Sequence, residues 1–484
     1  MVRRFPILLL LVVAGCVKPP PVATPELPVE TPTVFTTGDE VAETVASDWW
    51  RSFGDDQLSA VVVEALENNY DLRAAASRLD QAAADAKIAG ADLYPQVGLN
   101  LNASRRKQNF IGFPIPGGES RVLSSTATNL GVNVETSWEL DLWGRIRAQT
   151  RASIANFQAT AADLDAARLS IAGQTTKAWF AAAEAVEQLR LAEATLVSFR
   201  SSADQVRERY EAGVRPSLDF RLSLANLAAA EANLETRKRQ LDLAKRQLEL
   251  LLGRYPQAEL TAATSLGTAP TAIPAGIPSE LVARRPDLAA VERRLVASGE
   301  LVSVAKRARY PRISLTATGG TATAALTDLL DGSFGVWSLA GALVQPLFQG
   351  GRITGNIQRA EAAENEGLNR YISAVLLAYF EVEQALAAEA FFARQETALE
   401  ESSRHSSAAE QLADDRYRTG LEGYVTVLEA QRRSFDAESA YISVRRLRID
   451  NRIDLFLALG GGFDRNVHPE LAPEISEDEQ DSSR

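Results

Sequence analysis

Leu130-Gly131-Val132-Asn133-Val134-Glu135-Thr136-Ser137-Trp138-Glu139-Leu140-Asp141-Leu142 alternates with a period of two. In an extended chain Leu130, Val132, Val134, Trp138, Leu140 and Leu142 share one face. Gly131, Asn133, Glu135, Ser137, Glu139 and Asp141 share the other. So long a strand, with three carboxylates on its polar side, suits a membrane-spanning strand with lipid outside and water inside. A soluble sheet with one buried face would alternate in the same way. Against it, the chain offers little else to cover such a sheet once its helices are committed to one another.

Working outward, Val97, Leu99 and Leu101 alternate with Gly98, Asn100 and Asn102. Ile313, Leu315 and Ala317 alternate with Arg312, Ser314, Thr316 and Thr318. Residues 334–344 alternate poorly, with Trp337, Leu339 and Leu343 toward the outer side. Trp138 and Trp143 fit an aromatic girdle at a membrane surface, or a core. Four strands cannot close a barrel, whose single-chain minimum is about eight. Unpaired strand edges are not tolerated in hydrocarbon, so strands that span a membrane here require an oligomer.

The chain is also written twice. Arg209-Tyr210 and Gly213 recur as Arg416-Tyr417 and Gly420, and Leu252-Gly253 recurs as Leu459-Gly460. Tyr94-Pro95 recurs as Tyr310-Pro311. Each copy predicts the same order of elements: a helix (60–90; 279–308), two strands, a very long helix (145–210; 352–417), a glycine turn and a helix back (219–252; 426–459). Proline ends the first helix of each copy, and the long stretches contain none. A helix of that length runs on the order of 100 Å and must pack lengthwise against something equally long. The two shorter helices of a copy, stacked end to end, match it. Heptads are not sustained, so a tube wall fits better than a free coiled coil.

With 484 residues and a net charge of -12, the chain is long enough for a large core and wrongly charged for nucleic acid. His405 and His468 stand far apart, and the single cysteine, Cys16, excludes an internal disulfide or a cysteine-rich metal site. Arg3 and Arg4 precede a short apolar run that ends in Val13-Ala14-Gly15-Cys16. This resembles the lipobox of bacterial lipoproteins, which implies a signal peptide over 1–15 and a covalent lipid on Cys16; an ordinary secretory signal is the alternative. Residues 16–47 read as a proline-rich tether, 48–265 and 266–463 as the two repeats, and 464–484 as an acidic tail that is expected to be disordered.

Trp138-Glu139-Leu140-Asp141-Leu142-Trp143-Gly144-Arg145, Gln345-Pro346-Leu347-Phe348 with Gly350-Gly351-Arg352, and the paired Arg-Tyr-x-x-Gly turns resemble the TolC-like outer-membrane efflux proteins, in the lipoprotein branch that serves resistance-nodulation-division pumps. The resemblance covers residues 48–463. It implies a mainly α protein with membrane β structure: a homotrimer whose twelve strands form one outer-membrane barrel, continued by an α-barrel tunnel in the periplasm. A belt at the waist would come from 48–58, 253–278 and 460–473. The family role is an exit duct for drugs or other small amphiphiles, passed on by a periplasmic adaptor and an inner-membrane pump; a type I secretion duct is the alternative.

The resemblance places adaptor docking at the tips, around Arg209, Tyr210, Gly213, Arg416, Tyr417, Arg418 and Gly420. It puts the gate carboxylate at Glu429, with Val425 one turn earlier on the same face; a solvated surface glutamate is the alternative. Arg416 and Arg418 are expected to hold the closed tip by ion pairs to neighbouring helices. Asn133, Glu135, Glu139 and Asp141 are expected to face the lumen, and the three carboxylates to make it acidic. No cofactor is expected beyond the lipid. A lipid-tethered enzyme is disfavoured, because no Gly-x-Ser-x-Gly, His-Glu-x-x-His or phosphate-binding loop occurs. A structural coiled-coil lipoprotein would have the helices without the alternating strands.

Overall fold

The computed structural model describes residues 35, 45–110, 122–261, 263, 265–267, 281–282 and 284–463. Cys16, most of the tether and the acidic tail lie outside them. The first repeat contains α1 (Asp56–Asn68), α2 (Tyr70–Ala91), β1 (Gln96–Phe110), β2 (Leu123–Leu140), α3 (Arg145–Glu211) and α4 (Ser217–Leu251). The second contains α5 (Pro286–Arg307), β3 (Arg312–Thr323), β4 (Gly335–Val344), α6 (Arg352–Arg418) and α7 (Tyr424–Ala458). The expected helix over 60–90 is two helices, because Asn69 breaks it. Its side chain accepts from the backbone N–H groups of Asp71 and Leu72 and starts α2 afresh.

The same Asn69 joins two elements. Its amide donates to the Leu251 carbonyl at 3.0 Å, so the end of α4 meets the start of α2. In the second repeat Arg285 takes this place: it precedes α5 and donates to the Ala458 carbonyl at the end of α7. Arg285 is buried, which opposes its charge, but Asp287 and Glu381 more than compensate and hold its pKa above the usual arginine value. Each short pair thus forms one interrupted column that runs from the tip to the sheet, as the lengths predict. The unbroken columns are α3 and α6, of 67 residues each.

Packing orders the columns α2/α4, α3, α5/α7, α6. Each continues into a strand, and the sheet order is β1-β2-β3-β4, antiparallel throughout. A central column is packed on both sides and an end column on one. Accordingly, 26 residues of α3 are buried against 9 of the equally long α6. Alanine dominates that buried set (Ala148, Ala152, Ala155, Ala182, Ala183 and others), which allows close helix approach. Polar links fasten α7 between its neighbours: Arg445 and Arg446 reach Glu187 and Glu184 of α3, while Arg448 and Arg452 reach Glu389 of α6.

The waist holds the largest apolar cluster. Trp49 stacks on Phe456 with ring centroids 5.0 Å apart, and the Trp179 indole donates to Asp55 at 2.9 Å. Buried Glu249 accepts from the backbone N–H groups of Ala258, Glu259 and Leu260. Burial alone would raise its pKa, yet those donors keep it below the ordinary glutamate value.

The barrel wall and the helical tips as candidate functional site

The register settles which strand residues share a face. Leu99 pairs with Val134, Leu101 with Val132, Trp138 with Leu315, Leu140 with Ile313, and Gly319 with Trp337. These rows form one apolar band from Leu140 to Leu130, about 25 Å tall for strands tilted at about 40°. Val97, Leu99, Leu101, Trp337, Leu339 and Leu343 stand exposed on it. At the helical end of the band, Trp143 stacks on Tyr310 at 5.2 Å and donates to the Pro311 carbonyl, with Leu347 and Phe348 exposed beside the same junction. This is the aromatic boundary of a membrane band.

On the opposite face Asn133 and Glu135 are where the alternation predicts, paired with Asn100 and Gly98. Glu139 keeps that face but is ion-paired to Arg145 at 2.9 Å. Asp141 corrects the expectation, since β2 ends at Leu140. Its carboxylate accepts from the backbone N–H groups of Ile146 and Arg147, caps α3 and pairs with Arg147. The strand must turn into a helix through left-handed Gly144, which has no side chain to cap with, so Asp141 supplies the cap. Of these three carboxylates, Glu135 alone has no ion-pair partner among the described residues. Glu135→Gln should move the reversal potential of the reconstituted channel toward anion selectivity, while the charge-balanced pairs Glu139→Gln/Arg145→Gln and Asp141→Asn/Arg147→Gln should leave it nearly fixed. Equal shifts from all three would contradict this partition.

The two tips are built alike. In the first, the Val214 N–H bonds the Arg209 carbonyl and the Gly213 N–H that of Tyr210. In the second, Leu421 bonds Arg416 and Gly420 bonds Tyr417. Both are Schellman closures on left-handed glycine, so the repeated Arg-Tyr-x-x-Gly signature is a helix stop. Arg209 then crosses between tips, donating to the Tyr417 and Arg418 carbonyls, each at 2.9 Å. Its guanidinium lies 4.5 Å from the Tyr417 ring centroid, and that of Arg215 lies 5.1 Å from the same ring. Tyr417 and Tyr424 are each 1% exposed. Burial, then Tyr417 and Asp219 nearby, pushes the Tyr424 hydroxyl up to about 12. Tyr210 stacks on Phe220 at 5.1 Å.

Arg416 and Arg418 do not reach neighbouring helices as expected. Arg416 pairs with Glu422 across its own turn, and Arg418 with Asp414 one turn back. Both long side chains are more than half exposed, so such nearby partners cost less order than a distant one. Val425 and Glu429 are exposed on α7, one turn apart as expected, but Glu429 is ion-paired with Arg433 at 2.8 Å. The bridging Arg209 and its cluster with Arg215 and Tyr424 escaped sequence reading as a unit. The Glu429-to-Arg433 spacing was visible as an i, i+4 pair.

A sheet with a lipid-facing band, carried on helical columns far longer than any globular domain, defines a membrane channel protein rather than an enzyme. Residues 61–254 and 277–461 match the outer membrane efflux protein family, and the chain belongs to it. It is 35% identical over 419 residues to OprJ, an outer membrane protein of Pseudomonas aeruginosa, with 86% of each chain covered. The CmeC outer membrane channel of Campylobacter jejuni superposes with a TM-score of 0.85 at 25% identity, over 94% of this chain and 98% of that one. The open state of the MtrE outer membrane channel of Neisseria gonorrhoeae gives 0.79 at 29%, over 93% and 99%. The protein is a TolC-like outer-membrane efflux channel, the exit duct of an efflux pump.

Proposed function

We propose that three copies close into a single duct whose tips dock a periplasmic adaptor, through which an inner-membrane pump of the resistance-nodulation-division type delivers small amphiphiles. Conduction is then passive: the pump does the work and docking opens the tip. One observation carries the reading. Among the described residues, the unpaired edges of the sheet, β1 and β4, lie at the same two ends of the lateral order as the half-covered columns α2/α4 and α6. Joining β4 and α6 of one copy to β1 and α2/α4 of the next removes both deficits at once. The exposed Val214, Leu218 and Leu421 at the tips support docking there. A lipid on Cys16 would add a second hold on the membrane.

The test is on α6. Tyr371, Val375, Ala378, Val382 and Ala385 form its buried stripe, and Leu377 and Phe380 lie on the opposite side, 55% and 59% exposed. Burying one Phe against a neighbouring copy contributes about 1.5–3 kcal/mol. An unpaired carboxylate there costs more than that gain. Phe380→Asp should dissociate the detergent-purified trimer by light scattering and leave helical circular dichroism intact. A trimer that survives unchanged would remove α6 from the interface.

A further inference from the structure

The outer face of the sheet does not end at the apolar band. Beyond Ala103, paired with Leu130, the same face of the first hairpin continues as Arg105 opposite Thr128, Lys107 opposite Thr126, and Asn109 opposite Ser124. Two residues separate successive rows, so Arg105 stands about 5 Å and Lys107 about 10 Å above the last apolar row for a tilted strand. Both side chains are on exposed residues, and neither has a carboxylate partner among the described residues. No Asp or Glu occurs anywhere in β1, nor in β2 before Glu135. In a chain of net charge -12 these cations stand without a carboxylate partner among the described residues. The second hairpin has no counterpart, since β3 and β4 carry no cation above their apolar rows.

The aromatic boundary at Trp143 and Tyr310 marks the periplasmic side of the band, so these rows lie at its outer surface. We propose that Arg105 and Lys107, with the hydroxyls of Thr126 and Thr128, form a lipid site that binds the phosphate groups of the glycolipid filling the outer leaflet. The charge is complementary, and the site is continuous with the hydrocarbon contact that already positions the sheet. A guanidinium can hold a phosphate through two parallel hydrogen bonds, while Lys107 adds a point charge one row higher. Hydroxyl groups beside them suit sugar oxygens. Arg106 occupies the same strand with the same charge and faces the lumen, which makes it an internal control.

The experiment uses the full-length oligomer in detergent with three probes: diphosphorylated lipid A, its monophosphoryl form and phosphatidylglycerol. Native mass spectrometry counts retained lipid. Wild type should retain the diphosphorylated form at concentrations about tenfold below those needed by Arg105→Gln/Lys107→Gln. It should also prefer that form over the monophosphoryl one, and Arg106→Gln should bind like wild type. The proposal is overturned if the double variant binds as well as wild type, if Arg106→Gln loses as much, if removing a phosphate makes no difference, or if phosphatidylglycerol is retained as well as the diphosphorylated glycolipid.

Discussion

Arg209→Ala should raise single-channel conductance in a planar bilayer severalfold over wild type, and Glu429→Ala should change it little. The difference lies in their partners. Arg209 donates two hydrogen bonds to carbonyls of the other tip and covers the Tyr417 ring, so it ties α3 to the end of α6. Hydrogen bonds from a charged donor contribute about 1.5–3 kcal/mol each when shielded, and less at a half-exposed tip. A net loss of roughly 2 kcal/mol would shift an open-to-closed ratio about thirtyfold. Glu429, by contrast, already has Arg433 beside it, in solvent. In the proposed three-copy duct, a ring of three such carboxylates would be largely neutralised by its own cations. Arg209→Lys should fail to restore wild-type conductance, because an ammonium cannot reach two carbonyls in a fixed fork. A channel that responds to Glu429→Ala and ignores Arg209→Ala would move the constriction back to the carboxylate ring.

Gly460→Ala should be strongly damaging, destabilising the protein by on the order of 3 kcal/mol. Its φ is +87°, and a Cβ added there would run into the backbone carbonyl of Arg284. Left-handed strain in a non-glycine residue costs about 1–3 kcal/mol, and the backbone collision adds a packing cost of similar size. Relief would require Arg284 to move, and with it Arg285, which holds the end of α7 against the start of α5. In the equivalent Gly253→Ala, at φ +69°, the added Cβ would lie 2.6 Å from the Asn68 carbonyl oxygen, so it should be damaging at the other joint. Gly355→Ala on α6, with open space around it and helical backbone, serves as the comparison that should not destabilise. Thermal unfolding of the three variants tests the order; equal midpoints would mean that the joints carry no strain.

What was legible in the sequence had a local period or an exact echo. Alternation over 130–142 gave the faces of β2, and the doubled tip signatures gave both hairpins to within a few residues. The end-to-end stacking followed from lengths alone. The failures concern partnership. The sequence has Arg145 and Arg147 within six residues of Glu139 and Asp141, but only the corner at Gly144 turns them back onto those carboxylates. The break at Asn69 carried a visible signal, two asparagines before an Asp, and was overridden by the helical spacing on either side. Arg209 and Tyr417 lie 208 residues apart, and no local pattern connects them.

The two column joints also govern how such a chain can fold. Asn69 meets a carbonyl 182 residues further along, and Arg285 meets one 173 residues on. Neither interrupted column can be completed until the final helix of its repeat has been made and has doubled back from the tip. Contacts of such long range are slow to form, because loop closure must precede the stabilisation it allows. Meanwhile the sheet edges and the flank of α6 stay open to any strand or apolar surface nearby. Folding of a single copy therefore ends with its two lateral edges still uncovered, and in the proposed three-copy duct the last step of folding would be the arrival of the neighbouring subunits.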